Sequence, residues 1–359
     1  MGFPSETSPS FVFRHPSRVT IRDVAKRAGV TLTTVSSALS GRGRVSDEKR
    51  ENIRKIANEL GYQPKLAAQM MRGRSTGHIG LILPGFDVSQ ISMDGHAGPI
   101  LQDFILACEK RDITYHIEYW DASKKDRFEP PKQIANGLTD AVVVGGYVSP
   151  EFHEYMKARQ ITWVSIDEPA TYCVLSATDE GIYQATQHLA ALGHRKIAYV
   201  GDVPEFTTQK LGLEGFHRAQ TEFGIKHPDR NWIKLFAATD YRQVREDSLV
   251  WAGALLTARV RPTAIVCHGM VMARSIIHQA LLLGIKIPDE LSIIALGVAG
   301  EAERAPPPIS SIEVNFADMM EQAMNMLLQS LNGTVLPPKT YRIPPKIVMR
   351  KTVAPVSVK

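Results

Sequence analysis

The chain has 359 residues, 44% of them hydrophobic and 22% charged, with a net charge of +5. That length exceeds one compact core and fits a small module followed by two larger lobes. No apolar run reaches eighteen residues, which excludes an apolar membrane-spanning helix. Three widely spaced cysteines, Cys108, Cys173 and Cys267, are odd in number and form no metal-ligand pattern, as suits small buried hydrophobes in a reducing compartment.

Residues 1–18 carry Pro4, Pro9, Pro16 and several Ser without the basic-then-apolar order of a secretory signal, and are expected to form a disordered extension. A first helix follows. Thr20 and Asp23 have the spacing of a capping box; Ile21, Val24, Ala25 and Ala28 recur on one apolar face; Gly29 is suited to a left-handed stop. Thr31 then caps a second helix over 32–39, with Val35, Ala38 and Leu39 turned inward and Leu32, Thr33, Ser36 and Ser37 turned out. A third begins at Ser46, places Asp47 and Glu48 where the helix dipole favours anions, buries Ile53, Ile56, Ala57 and Leu60, and ends at Gly61. Two capped helices joined by a short glycine turn spell a helix-turn-helix, whose second helix is shaped for a DNA groove. The bland alternative is a three-helix bundle without a ligand. Charge favours the first, because residues 18–74 hold thirteen Lys/Arg against five Asp/Glu, so the basic charge sits on the front module.

After a short segment opening at Pro64, the rest of the chain alternates strand and helix patterns. Strands are expected over 79–83, 113–119, 141–144, 163–166, 196–200, 263–267 and 293–296, with helices such as 100–110, 183–192, 213–223 and 270–283 between them. This alternation implies an α/β fold of parallel sheets covered by helices, with a ligand at the carboxyl ends of the strands. The phosphate-cradling glycine motifs, the G-x-S-x-G elbow and any His/Cys metal cluster are all missing from the sequence, so neither an enzyme, nor a cofactor, nor a metal is expected. His194 in LGHRK is expected to cap a helix end.

Over 20–84 the order TIRDVAKRAGVT, TVS, RVSDEKRENI, LGYQP, GLILP resembles the lactose/galactose repressor family of bacterial regulators. The resemblance runs on through HLAALGHRKIAYVGD at 188–202, LEGFHRA at 213–219, RPTAIVC at 261–267, GIKIPDELSII at 284–294, PPISSI at 307–312 and VMRKTVAP at 348–355. It implies a helix-turn-helix domain over 19–63 and a hinge helix over 64–75. The remainder, 76–356, is implied to be a two-lobed periplasmic-binding-protein-like (type I) body, with chain crossings near Thr178, Val298 and Leu331. By the same resemblance Leu32 and Thr33 read bases, while Thr31, Thr34 and Ser36 mainly touch backbone. Ile21, Ser40, Arg44, Ser46, Lys49, Tyr62 and Lys65 hold phosphates or register. Ala67 and Ala68 let two hinge helices approach, and Met71 is the minor-groove wedge. Ser37 stands where many members have an arginine that contacts guanine, so the operator is expected to differ from the family's commonest one.

The cleft departs further. Gly212 replaces the family's effector-clamping arginine, Gly269 and Met270 an Asn-Asp pair, and Gly297 an aspartate. Losing these groups together removes the usual sugar chemistry, and the two glycines are expected to leave extra room. Asp167, Lys210, Tyr241 and His268 remain as candidate effector residues, with packing or surface roles as their alternative. The sequence therefore points to a cytoplasmic, homodimeric, DNA-binding transcription regulator, by family habit a repressor, acting on a double-stranded operator without a membrane. Its cleft either takes a small-molecule effector or binds nothing. The alternative is a soluble small-molecule binder with a vestigial DNA-binding module.

Overall fold

Cap chemistry lays down the first helices. The computed structural model describes residues 19–39, 43–62, 75–85, 96–121, 128–225, 230–237, 241–334 and 337–356, the side chains of Arg230 and Tyr241 excepted. Helix α1 (Ile21–Ala28) begins where the Thr20 amide and hydroxyl both donate to Asp23 Oδ2, at 2.8 and 2.7 Å. Those bonds hold the Asp23 carboxyl below its ordinary range. The helix ends at Gly29 with φ 65°, a left-handed conformation that is cheap only without a Cβ. Helix α2 (Leu32–Leu39) opens with the Thr34 amide donating to Thr31 Oγ1 at 3.2 Å. Helix α3 (Asp47–Glu59) follows Ser46 with Asp47 and Glu48 in its first turn. Val24, Ala25, Val35, Ala38, Ile53 and Ala57 form the core of this unit, with Ile21, Ala28, Leu39, Ile56, Leu60 and Tyr62 packed around it. The buried Val24, Val35 and Ile53 each contribute ~1.5–3 kcal/mol by leaving water.

The chain divides into two units, 1–76 and 77–359. In the second, β1 (His78–Gly85), α4 (Ala97–Glu109), β2 (Thr114–Asp121), α5 (Lys132–Ala135), β3 (Ala141–Gly145), α6 (Pro150–Ala158), β4 (Thr162–Ile166) and β5 (Tyr172–Ser176) build a first lobe. The chain then crosses to a second lobe through α7 (Thr178–Ala191), β6 (Ile197–Gly201), α8 (Thr207–Glu222), β7 (Ile233–Leu235), α9 (Tyr241–Thr257) and β8 (Ala264–Cys267). It continues there with α10 (Met270–Leu282), β9 (Ser292–Gly297), α11 (Ala299–Arg304) and β10 (Ser310–Glu313). Helix α12 (Phe316–Leu331) and β11 (Lys339–Ile343) return to the first lobe, and β12 (Lys346–Val348) ends in the second. The two six-stranded sheets run β11-β5-β4-β3-β1-β2 and β12-β10-β9-β8-β6-β7, parallel except where β12 pairs with β10.

All seven expected strands are present, within two residues at each end, and the four expected helices are present too, each ending one residue before its expected C-terminal bound. The first crossing falls at Thr178 as expected, but the other two are corrected. They lie between β10 and α12 and between β11 and β12, not near Val298 and Leu331. The physical reason is the apolar face of α12. Phe316, Met319, Met320, Ala323, Met324 and Leu327 pack into the first-lobe core with Leu81, Phe104, Val143 and Val164. Second-lobe strands are instead buried on both sides by two further clusters, one around Ile265, Ile276 and Ile293, the other around Tyr199, Phe216 and Val266.

His194 is also corrected. Its imidazole ties two distant segments, with Nδ1 2.9 Å from Thr263 Oγ1 and Nε2 donating to the Ala354 carbonyl at 2.9 Å. Burial holds its pKa below the ordinary value. The three cysteines are free and buried, and burial pushes the thiols of Cys108 and Cys173 up to about 11 and about 12. Among the described residues no helix is long and apolar enough to cross a membrane.

Candidate functional site

Two places concentrate chemistry, one in each unit. On the first unit it is the outward face of α2. Leu32 is 43% exposed, and Thr31 and Thr33 stand beside it in solvent. The Thr31 hydroxyl is a hub: it lies 2.8 Å from Thr33 Oγ1 and 2.8 Å from Thr34 Oγ1 while accepting the Thr34 amide. A single cap thus orders the helix start and the hydroxyl of Thr33. Thr34, Ser36 and Ser37 are half-buried. Ser37 lies against the α2–α3 connection, where a Cβ on Gly43 would stand 3.1 Å from its Oγ, and Gly43 has φ 86°. That close approach leaves Ser37 less free to face a base than its helical position alone suggests.

Arg44, Ser46 and Lys49 are exposed, with Ser46 at the N-terminus of α3. Ile21 and Tyr62 pack against the core of the unit. For Ile21 this leaves the backbone amide of the first helical turn as the group suited to a phosphate. Ser40, Lys65, Ala67, Ala68 and Met71 lie outside the described residues.

The second place is where the two lobes of the body face each other, at the carboxyl ends of β4, β6 and β8. Asp167 follows β4 with φ 65° and is buried. Its Oδ1 accepts the Ser176 amide and hydroxyl, each at 2.7 Å, and its Oδ2 lies 3.0 Å from His96 Nε2. The neighbouring Glu168 reaches across the lobes and caps α8, accepting the Thr207 hydroxyl at 2.9 Å and the Thr207 amide at 3.3 Å. Burial raises the Glu168 pKa while the Thr207 bonds oppose the shift.

On the second-lobe side, Tyr199 Oη, Asp202 Oδ1 and both ring nitrogens of His268 are buried without a well-formed hydrogen bond. Burial pushes the Asp202 carboxyl up to about 7 and the His268 imidazole down to about 4, with the Asp167 charge opposing the latter. Burial thus favours the neutral form of both groups; near pH 7 this leaves the imidazole uncharged and the carboxyl close to its midpoint. His268 can therefore offer a neutral donor and acceptor, but no positive charge, to anything that enters.

The four candidate effector residues fare differently. Asp167 and His268 sit close enough for the carboxylate to act on the imidazole. Lys210 is exposed on α8. The Tyr241 side chain lies outside the described residues. The expected extra room is a correction. A Cβ on Gly212 would meet His268 Cδ2 at 2.6 Å, His268 Nε2 at 2.9 Å and Tyr199 Oη at 3.0 Å, and one on Gly297 would meet Met270 Cγ at 2.6 Å. The chain's own side chains fill the space that the missing clamp leaves.

His96, Glu168, Ser176, Tyr199, Asp202 and Thr207 were not singled out from the sequence. Asp202 had a signal, since it follows the apolar run of β6 directly, where α/β sheets place functional groups. His96 had none.

Comparison with known proteins agrees with this geometry. The domain family described as bacterial regulatory proteins, lacI family, matches residues 20–65, and the periplasmic binding protein-like domain matches residues 186–353. The HTH-type transcriptional regulator DegA of Bacillus subtilis is 28% identical over 351 residues, covering 95% of this chain and 99% of that protein. The HTH-type transcriptional repressor PurR of Escherichia fergusonii is 27% identical over 346 residues, covering 93% and 97%. Among solved structures, the lac repressor dimer bound to operator and the anti-inducer ONPF has a TM-score of 0.76 at 19% identity, covering 94% of this chain and 100% of that one. A CelR–cellobiose complex has a TM-score of 0.66 at 19% identity, covering 93% and 100%.

Proposed function

The chain belongs to the lacI family of bacterial regulatory proteins, DNA-binding regulators of transcription, and from that premise we propose a cytoplasmic homodimeric repressor that acts by binding rather than by catalysis. Two copies of α2 enter successive major grooves of a near-palindrome, with Leu32 and Thr33 at the bases. Thr31, Thr34, Ser36, Ser37, Ser40, Arg44, Ser46, Lys49, Tyr62, Lys65 and the Ile21 amide hold the backbone or the register. Ala67, Ala68 and Met71 work in the minor groove. The observation that carries this reading is the exposed, hydroxyl-ordered face of α2 on a capped module that holds the chain's excess of basic charge.

Dimerisation is supported by the end of α10. Leu281 and Leu282 are 62% and 70% exposed beside a surface cavity of about 370 Å³ lined in part by Ile277, Ile285, Ile287 and Pro307. Apolar surface of this kind is suited to a second copy of the chain. Control by a small molecule would run through Asp167 and His268, and the internally filled second-lobe face disfavours the family's sugar clamp.

The test is salt-dependent retention on duplex DNA by the full chain and by residues 76–359. The full chain should bind with affinity falling steeply as salt rises. The truncated body, which keeps its own cores, should lose retention and stay folded and dimeric. Undiminished binding by the truncated body would overturn the reading.

A further inference from the structure

We propose that Arg50 is a positioning residue for DNA reading: from α3 its guanidinium clamps the carboxyl end of α2 and sets the angle at which that helix meets the bases. The proposal rests on the DNA-binding function given above. Arg50 Nη1 donates to the Ser37 and Ala38 carbonyls, each at 3.4 Å, and Nη2 donates to the Val45 carbonyl at 3.5 Å. The first two acceptors are among the last carbonyls of α2, at the negative end of its dipole. The third belongs to the connection leading into α3. One cation therefore holds α2, the connection and α3 at a single point, and the planar fork of arginine suits three acceptors better than the compact lysine ammonium does.

The opposite end of α2 is held separately, by the Thr31 hydroxyl hub. Between the two ends the helix has only two turns and two fully buried side chains, Val35 and Ala38. With so little apolar anchorage, its tilt depends on its ends. Gly43, pressed against Ser37, closes the same corner from above. Arg50 is half-buried and occupied with backbone, so its effect on DNA passes through α2.

The experiment uses the full chain and a duplex enriched by the wild-type protein from a random-sequence pool, beside a scrambled duplex of the same length and composition. Affinity for both is measured over a salt series for wild type, R50A and R50K. The expected result is at least a tenfold fall in the enriched-to-scrambled ratio for R50A, about 1.4 kcal/mol of specificity, with partial recovery in R50K and scrambled affinity nearly unchanged. Should R50A lose the helical signal of the front unit at the assay temperature, R50K decides on the same ratio. Equal losses on both duplexes, with the salt slope reduced by about 1, would mean that Arg50 touches a phosphate directly and would overturn the proposal. An unchanged ratio in R50K and a folded R50A would overturn it as well. If the wild type enriches no sequence at all, it is the DNA-reading function that fails.

Discussion

Gly212→Ala should destabilise the body, against the intrinsic preference of a helix. Position 212 lies inside α8, where replacing glycine by alanine ordinarily stabilises by about 1 kcal/mol. Here the added methyl would land 2.6 Å from His268 Cδ2, 2.9 Å from Nε2 and 3.0 Å from Tyr199 Oη, well inside the ~3.5–4.0 Å of an ordinary carbon contact. Neither ring has room to withdraw, since Tyr199 is fully buried and His268 is 4% exposed. Overpacking of this kind costs ~1–3 kcal/mol. With two buried rings in the way its upper range applies, and the net loss is about 1–2 kcal/mol, or roughly 3–6 °C for a body of this size. Thermal unfolding of G212A, H268A and the double variant provides the assay. In the H268A background the same Gly212→Ala change should cost less, because the nearer of the two blocking rings is gone and only Tyr199 Oη remains at 3.0 Å. A rise in melting temperature for G212A in the wild-type background would show that the position is open after all, and the argument that the clamp space is internally filled would fall.

Burial of Asp202 and His268 makes opposite contributions to the pH dependence of stability. The Asp202 pKa, about 7, stands above its unfolded value, so its share of stability is present at low pH and is lost as pH rises from about 4 to about 7. Asp202→Asn should therefore gain on the wild type across that window, by up to ~4 kcal/mol, and equal stability differences at pH 4.5 and pH 8 would contradict this. The His268 pKa, about 4, stands below its unfolded value, so stability falls as pH drops from about 6.5 to about 4. His268→Gln should flatten the acid limb of the melting-temperature profile, and an unchanged limb would count against a buried neutral imidazole. Thr31→Val removes the cap of α2 and the partner of Thr33, and should lower stability of the front unit by ~1 kcal/mol while weakening specific DNA retention more than the stability loss explains; loss of stability alone would show the hub to be structural. Met71→Gly should weaken specific binding far more than non-specific binding, because a wedge acts only on deformed DNA. Equal losses on both would make the hinge a tether.

The front unit was legible in the sequence because its signals are local. Helices α1 and α2 have the bounds that Thr20, Asp23, Gly29 and Thr31 imply, each cap acting within four residues of its partner. Strands β1, β3, β4, β6, β8 and β9 of the body were legible as short apolar runs between turn residues, and so was the edge strand β2, whereas the central β5 and β10 were not. Neither were the edge strands β7, β11 and β12. Lys339–Ile343 alternates weakly and is largely exposed, and it is a strand only because β5 lies beside it. The apolar period of α12 is visible along Phe316, Met319, Met320, Ala323, Met324 and Leu327, but a period states that a face is buried, not which lobe buries it. The second and third crossings were misplaced for that reason. In the cleft, the contacts that matter join residues far apart in sequence, His96 with Asp167 and Glu168 with Thr207. The room expected from Gly212 and Gly297 was wrong for the same cause, since their neighbours His268, Tyr199 and Met270 come from other elements.

Chemical footprinting of the full chain on its own enriched duplex tests the central claim most directly, that two copies of α2 read DNA as a symmetric pair. The account predicts two protected major-groove half-sites of related, inverted sequence, centred about one helical turn of ~10 base pairs apart or a multiple of it, with two chains per duplex. Substitution of Leu32 or Thr33 should change the preferred base in both halves alike. A single unpaired footprint, or sequence preference unmoved by those substitutions, would contradict it.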